Sequence, residues 1–348
     1  MILRFFGALV WLRRAVSTVL GRRRTVFVSD RVDEYRSLWS AAARAIGADF
    51  TPLAPHVWEV RSGEQHTLIS NGRVQIDDPV VLDLAGDKAF CYDLARRLGV
   101  PTPEPRTVDR VELSKLLRRT PLSRGPYVVK PATGTSSGEG VTVGVRSRFG
   151  LASAMALASL RSTRIVVERL VAAESVRLLF LDGKMIHAMR RTGVRIEGDG
   201  TSTIAELMRR MKPRRVPIDR FVRETIAQQR RSLGDVLPAG TSMVVRWLPA
   251  QIRASRELRT LYDEDVTHLV CPTLVAEVAP LVDAIGSRFA GIDLVTNDLT
   301  RSLADSGGVF LEINTTPGLL HHCTPSVNGS PCAVAVTVLR RLLELDPA

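Results

Sequence analysis

The sequence predicts a mixed α/β (α+β) chain in which two sub-domains follow a small N-terminal α/β unit. Three observations support this. Apolar residues switch repeatedly between the two-residue period of strands and the 3.6-residue period of helices. The middle of the chain carries a strand, a loop of glycine and small hydroxyl residues, and a returning strand, PYVVKPATGTSSGEGVTVGV. Near the C-terminus two apolar strands, GIDLV and GVFLEIN, carry acidic and amide side chains. With 348 residues, 45% of them hydrophobic, the chain has apolar material for two or three globular units and is too rich in it to be disordered.

The basic segment 1–24 comes first, MILRFFGALVWLRRAVSTVLGRRR. Its apolar run is too short and too charged to span a bilayer, so a helix packed on the body or an amphipathic helix lying on a membrane surface is expected. Residues 25–85 read as the N-terminal α/β domain: a strand TVFVS, a helix DEYRSLWSAAARAIGA, and short strands around VWEV, HTLI and VVLDL. The next unit, 86–168, opens with a helix in GDKAFCYDLARRLGVPTPEP that stops at Gly99 and Pro101. It continues through the glycine-loop hairpin, a helix at 148–160 and the strand RIVVERL.

Residues 169–348 form the last unit. SVRLLFL and KMIHAMRR are joined at Asp182–Gly183 by a type I′ turn, and Thr203 with Glu206 forms a capping box before a helix. The stretch 213–268 is polar and weakly periodic and reads as an insertion with one helix near Arg220 to Arg231. A helix at 272–286, the strands GIDLV and GVFLEIN, and a helix at 333–345 complete the chain.

The net charge of +12 is carried mostly by arginine and points to anionic partners. Nucleic acid is not expected, because zinc-finger spacing, an RNP motif and an aromatic-interleaved basic stripe are all missing. Neither GxxxxGK[ST] nor GxGxxG occurs. The four cysteines show no CxxC spacing, so neither a disulfide framework nor a zinc ribbon is expected, and a reducing, cytoplasmic compartment fits.

Lysines are few, which makes their positions informative. Lys130 ends a strand and leads into the loop at 132–140, where backbone N–H groups can approach a phosphate. Lys88 stands in the first turn of its helix. Glu312 and Asn314 lie two apart on one strand and so share a face, and Asp293 lies on the strand before. Three oxygen donors of this kind suit Mg²⁺, or Mn²⁺ in its place, with phosphate and water completing the shell. Each residue alone also reads as an ordinary surface or strand-end polar group.

DK at Lys88, VVKP with its glycine loop, VVERL at Glu168, GID, and EIN followed by PG resemble, in that order, the motifs of the ATP-grasp family. VVERLVAAESVRLLFLDGKMIHAMRRTGVRIEGDGTSTIAEL and EINTTPGLLHHCTPS are similar to the ATP-grasp portion of cyanophycin synthetases, and more weakly to glutathione synthetase and D-alanine:D-alanine ligase. The likeness runs from Gly86 to Leu343 and lacks the Mur-ligase-like half of cyanophycin synthetases. It implies an ATP-grasp fold, with the nucleotide between the two sub-domains. It also implies an ATP-dependent ligase that joins an amino-acid or small-peptide carboxylate to an amine through an acyl phosphate.

By the same resemblance Lys88 and Lys130 hold the ATP phosphates, and Gly134, Ser136, Ser137, Gly138 and Gly140 belong to the loop that closes over them. Glu168 lies at the strand that pairs with adenine. The ribose carboxylate falls at Ser175, with Glu174 one place earlier. Arg177 and Arg191, or Arg190 in place of Arg191, would meet the acyl phosphate or substrate carboxylate. The arginine of D-alanine:D-alanine ligase two places before the first metal aspartate is Gly291 here, so its charge is expected from Arg177 or Arg191. His322 matches a histidine of cyanophycin synthetases and is read as a substrate-side or a structural loop residue. Related ligases are commonly dimers, so a homodimer is expected. Two alternatives compete with the ligase: a non-catalytic ATP-binding module that recruits a partner or a membrane through residues 1–24, and another ATP-grasp phosphoryl transfer.

Overall fold

The computed structural model describes residues 26–134, 140–171, 173–191, 193–211, 218, 220–246, 263–315, 317–323 and 331–345. The basic segment 1–24 and three expected loop residues, Ser136, Ser137 and Gly138, lie outside the described residues.

The described residues begin with helix α1, Val26–Ala45, where a strand was expected at 25–29. Val32, Tyr35, Trp39, Ala42 and Ala43 form one buried stripe at helical spacing. That tertiary burial overrides the β propensity of the Val-Phe-Val run. A four-stranded antiparallel sheet follows, β1 Asp49–Ala54, β2 Val57–Ser62, β3 Gln65–Ser70 and β4 Arg73–Val74, in sequential order. VVLDL, also expected as a strand, is helix α2, Pro79–Gly86. Asp78 caps it by accepting from the Val80 N–H at 2.8 Å, and Pro79 supplies a preset φ at its first turn.

Helix α3, Lys88–Arg97, is capped by Asp87, which accepts from the Ala89 and Phe90 N–H groups. The second sheet has the order β5-β8-β6-β7: β5 Arg106–Asp109, β6 Tyr127–Pro131, β7 Thr142–Val145 and β8 Arg164–Arg169. Helices α4, Leu113–Arg119, and α5, Arg148–Ala158, cover one face of it around Leu151, Met155, Val129 and Ile165.

The long hairpin β9 Glu174–Leu181 and β10 Lys184–Arg191 turns at Asp182 (φ 46°) and Gly183 (φ 76°), both left-handed as a type I′ turn requires. Next comes a small unit: β11 Val194–Glu197, α6 Ile204–Arg210 with its Thr203–Glu206 capping box, α7 Arg220–Gln228 and β12 Ser242–Arg246. β12 pairs with β11, and β13, Asp263–Asp265, pairs with β10, so the stretch read as an insertion also carries two strands. β13 holds only three residues, too short for a periodic signal. Helix α8, Pro272–Ile285, leads to β14 Phe289–Thr296 and β15 Val309–Asn314, and helix α9, Ala333–Leu342, ends the described chain.

The third sheet, in the order β13-β10-β9-β14-β15, has two covered faces. Successive residues of β9 alternate between them. Val176, Leu178 and Phe180 join the core under α3 and α8, while Leu179 and Leu181 join the core made by α1, β2, β3 and α9. The N-terminal unit therefore roofs one face of the third sheet. Cys323 and Cys332 form a disulfide, which corrects the expectation of a chain without one. Their spacing of nine matches no local motif; the turn after β15 and the start of α9 bring their Cα atoms within 5.4 Å.

Candidate functional site

Three charged residues form one row across the third sheet. Glu312 on β15 lies directly opposite Asp293 on β14, which lies directly opposite Arg177 on β9. Directly opposed residues in antiparallel strands share a face, so the register alone brings these groups together. Arg177 donates from Nε to Asp293 Oδ1 at 2.5 Å and from Nη2 to Oδ2 at 2.7 Å, a bidentate pair of two buried residues. Burial acts to lower the pKa of the guanidinium, but Asp293, with Glu312 and Tyr35, makes the net shift upward. Gly291 makes room for this arginine: a Cβ there would stand 3.0 Å from Arg177 Cδ and 3.3 Å from Pro317 Cβ.

Helix α3 ties this row to the second sheet. Lys88 and Tyr92 stand one turn apart on it. Lys88 Nζ lies 3.4 Å from Glu312 Oε2 on the third sheet. The Tyr92 hydroxyl donates to Glu168 Oε2 at 2.7 Å and accepts from Lys130 Nζ at 2.8 Å, and Lys130 also pairs with Glu168 Oε1 at 2.9 Å. Lys130 on β6 and Glu168 on β8 come from adjacent strands, and both are buried. Burial and then Glu168 push the Tyr92 phenol well above its ordinary pKa, so the hydroxyl stays protonated. For Glu312 burial favours the neutral acid, yet Lys88, Lys130 and Arg177 together hold its carboxyl down at about 2. Two lysines from separate motifs thus act on one carboxylate. Sequence reasoning placed Tyr92 only in a helical stripe, where a core aromatic and a bridging phenol have the same pattern.

The candidate arginines separate by strand alternation. Arg191 lies opposite Ser175 and Asp263; burial, and then Arg177, lower its pKa. Its Nε is buried with no hydrogen-bond partner among the described residues. Arg190 points to the other face, 3.1 Å from Glu174 and 3.1 Å from Glu264. Glu174 also accepts from Arg195 and so is held in its own ionic network. Gly134 (φ 71°) and Gly140 (φ 75°) flank the undescribed loop, both in the left-handed region. His321 and His322 are buried beside Arg177 and Arg191. His187, Asp263 and Asp265, which the sequence did not single out, surround them.

The arrangement fits an anion with an accompanying hard cation. Lys88, Lys130, Arg177 and Arg191 bring four cations to one region, and the unpartnered Nε of Arg191 is a donor for which the described residues provide no acceptor. Among the described residues no three His, Cys, Asp or Glu side chains form a metal-binding group. Glu312, ionised, and Asn314, whose amide nitrogen donates to the Gly291 carbonyl at 3.5 Å, carry hard oxygen donors. Asp293 is shared with Arg177. These donors suit Mg²⁺ with phosphate oxygens and water supplying the remaining positions.

The fold thus brings charged side chains of α3, the second sheet and the third sheet into one cluster. The chain belongs to the ATP-grasp superfamily. It is 30% identical over 275 residues to cyanophycin synthetase of Trichormus variabilis, a match covering 75% of this chain and 29% of that protein. It is 25% identical over 272 residues to the glutathione biosynthesis bifunctional protein GshAB of Streptococcus mutans, covering 73% and 35%. The bifunctional glutathione synthetase structure from Pasteurella multocida matches the fold with a TM-score of 0.55 at 16% identity, over 90% of this chain and 45% of that one. The matched region thus spans about a third of the length of these relatives. No protein-family model matches the chain.

Proposed function

We propose that the protein is an ATP-dependent carboxylate–amine ligase that forms an amide or peptide bond on amino-acid or small-peptide substrates and releases ADP and phosphate. The observation that supports it most is the bridge made by α3, which carries Lys88 to Glu312 and Tyr92 to the Lys130–Glu168 pair. Lys88 and Lys130 neutralise phosphate oxygens, and Glu312, Asn314 and Asp293 hold Mg²⁺. When bound, Mg·ATP supplies the phosphoryl group that activates a substrate carboxylate as an acyl phosphate. Arg177 and Arg191 face the charge that develops at that carboxylate, and their fixed geometry stabilises it without reorganisation. Arg177 stands in for an arginine at position 291, where this chain has glycine. The loop containing Gly134 and Gly140 excludes water that would hydrolyse the activated acid. Glu168 lies at the adenine end, and Arg190 with Glu174 keeps a structural role in this reading.

The test is an ADP-release assay on pairs of amino acids and dipeptides. Release is expected only when both an acid and an amine are supplied, with a condensed product of matching mass. A Glu312→Gln variant is expected to lose turnover; unchanged activity in it would count against the metal assignment.

A further inference from the structure

Beside Arg177 and Arg191 lies a second polar cluster to which the ligase reading gives no role. A turn at Leu319–His321, following Pro317 and Gly318, presents His321 and His322, which are 3% and 4% exposed. His322 Nδ1 stands 2.9 Å from Nδ1 of His187 on β10, with the two rings edge-to-face. His187 Nε2 lies 3.4 Å from Asp265 Oδ2 on β13. The other oxygen of Asp265 accepts from the Thr267 N–H and hydroxyl, which fixes the carboxylate.

The geometry points to His322 as the base that takes the proton from the attacking amine, with His187 and Asp265 as positioning residues that set its tautomer. The assignment rests on the ligase reading. Two Nδ1 atoms in hydrogen-bond contact need one hydrogen between them. The Asp265 carboxylate favours the proton of His187 on the nearer Nε2, which leaves His187 Nδ1 bare. His322 must then donate from its own Nδ1, and its Nε2 carries a free lone pair. That Nε2 is buried and has no hydrogen-bond partner among the described residues. An unpaired buried polar atom calls for a functional explanation, and an incoming amine provides one.

The groups that face His322 are Arg177 from β9, His187 and Arg191 from β10, and His321 from its own turn; on β13, Asp263 pairs with His321 and Asp265 with His187. Burial comes first among the causes that hold its pKa well below the ordinary value, followed by His187 and Arg177. The imidazole is therefore neutral at physiological pH and becomes an effective acceptor only as the amine gains positive charge. In the step, the neutral amine attacks the acyl-phosphate carbon and the C–N bond forms. One N–H proton passes to His322 Nε2, the C–O bond to phosphate breaks, and phosphate leaves with its electron pair. The imidazolium returns the proton to phosphate, so that amide and hydrogen phosphate are the products.

Two measurements on the full chain test this. In ¹⁵N-labelled protein, long-range imidazole spectra assigned with His322→Gln and His187→Gln variants are expected to show His322 protonated on Nδ1 and bare on Nε2. Asp265→Asn is expected to weaken that preference. A His322 protonated on Nε2 overturns the assignment whether or not the protein is a ligase. In the second measurement, wild type and His322→Gln receive Mg·ATP and a mixture of the proteinogenic amino acids, with and without hydroxylamine. Hydroxylamine is uncharged at neutral pH and strongly nucleophilic, so it needs little help from a base. Amide formation is expected to fall on the order of 100-fold while hydroxamate formation changes by less than about 3-fold. Equal losses of both overturn the base role. A wild type that forms neither product overturns the ligase reading, and the base role with it, while the tautomer stays readable by itself.

Discussion

Arg177 lies across the face of Gly291, its Cδ 3.0 Å from the place a Cβ on residue 291 would occupy. Residue 291 has no side chain, and the side chain of Arg177 from the neighbouring strand packs into the space this leaves. Gly291→Ala would press on Arg177 from one side and Pro317, a rigid ring, from the other. Its expected cost is about 1–3 kcal/mol of stability, the usual range for overpacking, read by urea unfolding. A change within about 0.5 kcal/mol would mean that Arg177 is not confined there.

The same arginine fixes a second outcome. Asp293 is 5% exposed and both of its oxygens accept from Arg177. Arg177→Ala leaves a buried carboxylate without its counter-ion and should cost roughly 3–5 kcal/mol. Replacing both partners with apolar residues, Arg177→Met with Asp293→Leu, should restore most of that stability while nucleotide turnover stays abolished. A double variant no more stable than Arg177→Ala contradicts the pairing.

The sequence made much of this legible. Lys130, Glu168, Asp293 and Glu312 stand on short apolar runs that read as strands, and the Asp182–Gly183 turn followed from its residue types. Other features depend on tertiary contacts that local pattern does not encode. Val26 to Val28 has β-forming residues, yet helix α1 continues through them because its buried stripe packs on α9 and the third sheet. Asp78 and Pro79 did carry a helix-start signal before VVLDL, and the apolar run obscured it. Tyr92, His187 and Asp265 have ordinary sequence neighbours. Their roles arise only when β6, β8, β10 and β13 come together.

The buried histidines make a pH prediction whose sign is set by burial, which for His321 outweighs the opposing pull of Asp263. Burial holds His321 down to about 4 from its ordinary 6.5, and His322 is lowered as well. Between those values the unfolded chain binds more protons than the folded one, so stability rises with pH. The contribution is complete above pH 6.5 and is lost as pH falls towards 4. Glu312 adds its own loss only below its ordinary 4.5, towards about 2. Urea unfolding from pH 6.5 down to 4.5 should therefore show a decline on the order of 2 kcal/mol. A flat profile over that interval contradicts the burial of the pair.

The disulfide between Cys323 and Cys332 closes a loop with a sequence separation of nine immediately after His322. Reduction, or the Cys323→Ser/Cys332→Ser variant, should cost roughly 2.5 kcal/mol by loop-closure entropy. Unfolding curves with and without dithiothreitol measure it, and coincident curves would contradict a closed loop.

If Lys88, Lys130, Glu312 and Asp293 serve one magnesium nucleotide, ATP binding depends on both the metal and the lysines. Titration calorimetry of ATP into the protein with and without Mg²⁺, for wild type and Lys130→Met, tests it most directly. Wild type is expected to bind ATP in a Mg²⁺-dependent way, and the variant to bind it on the order of 10-fold or more weakly. Binding that ignores both magnesium and Lys130, or no binding heat in wild type, would contradict it.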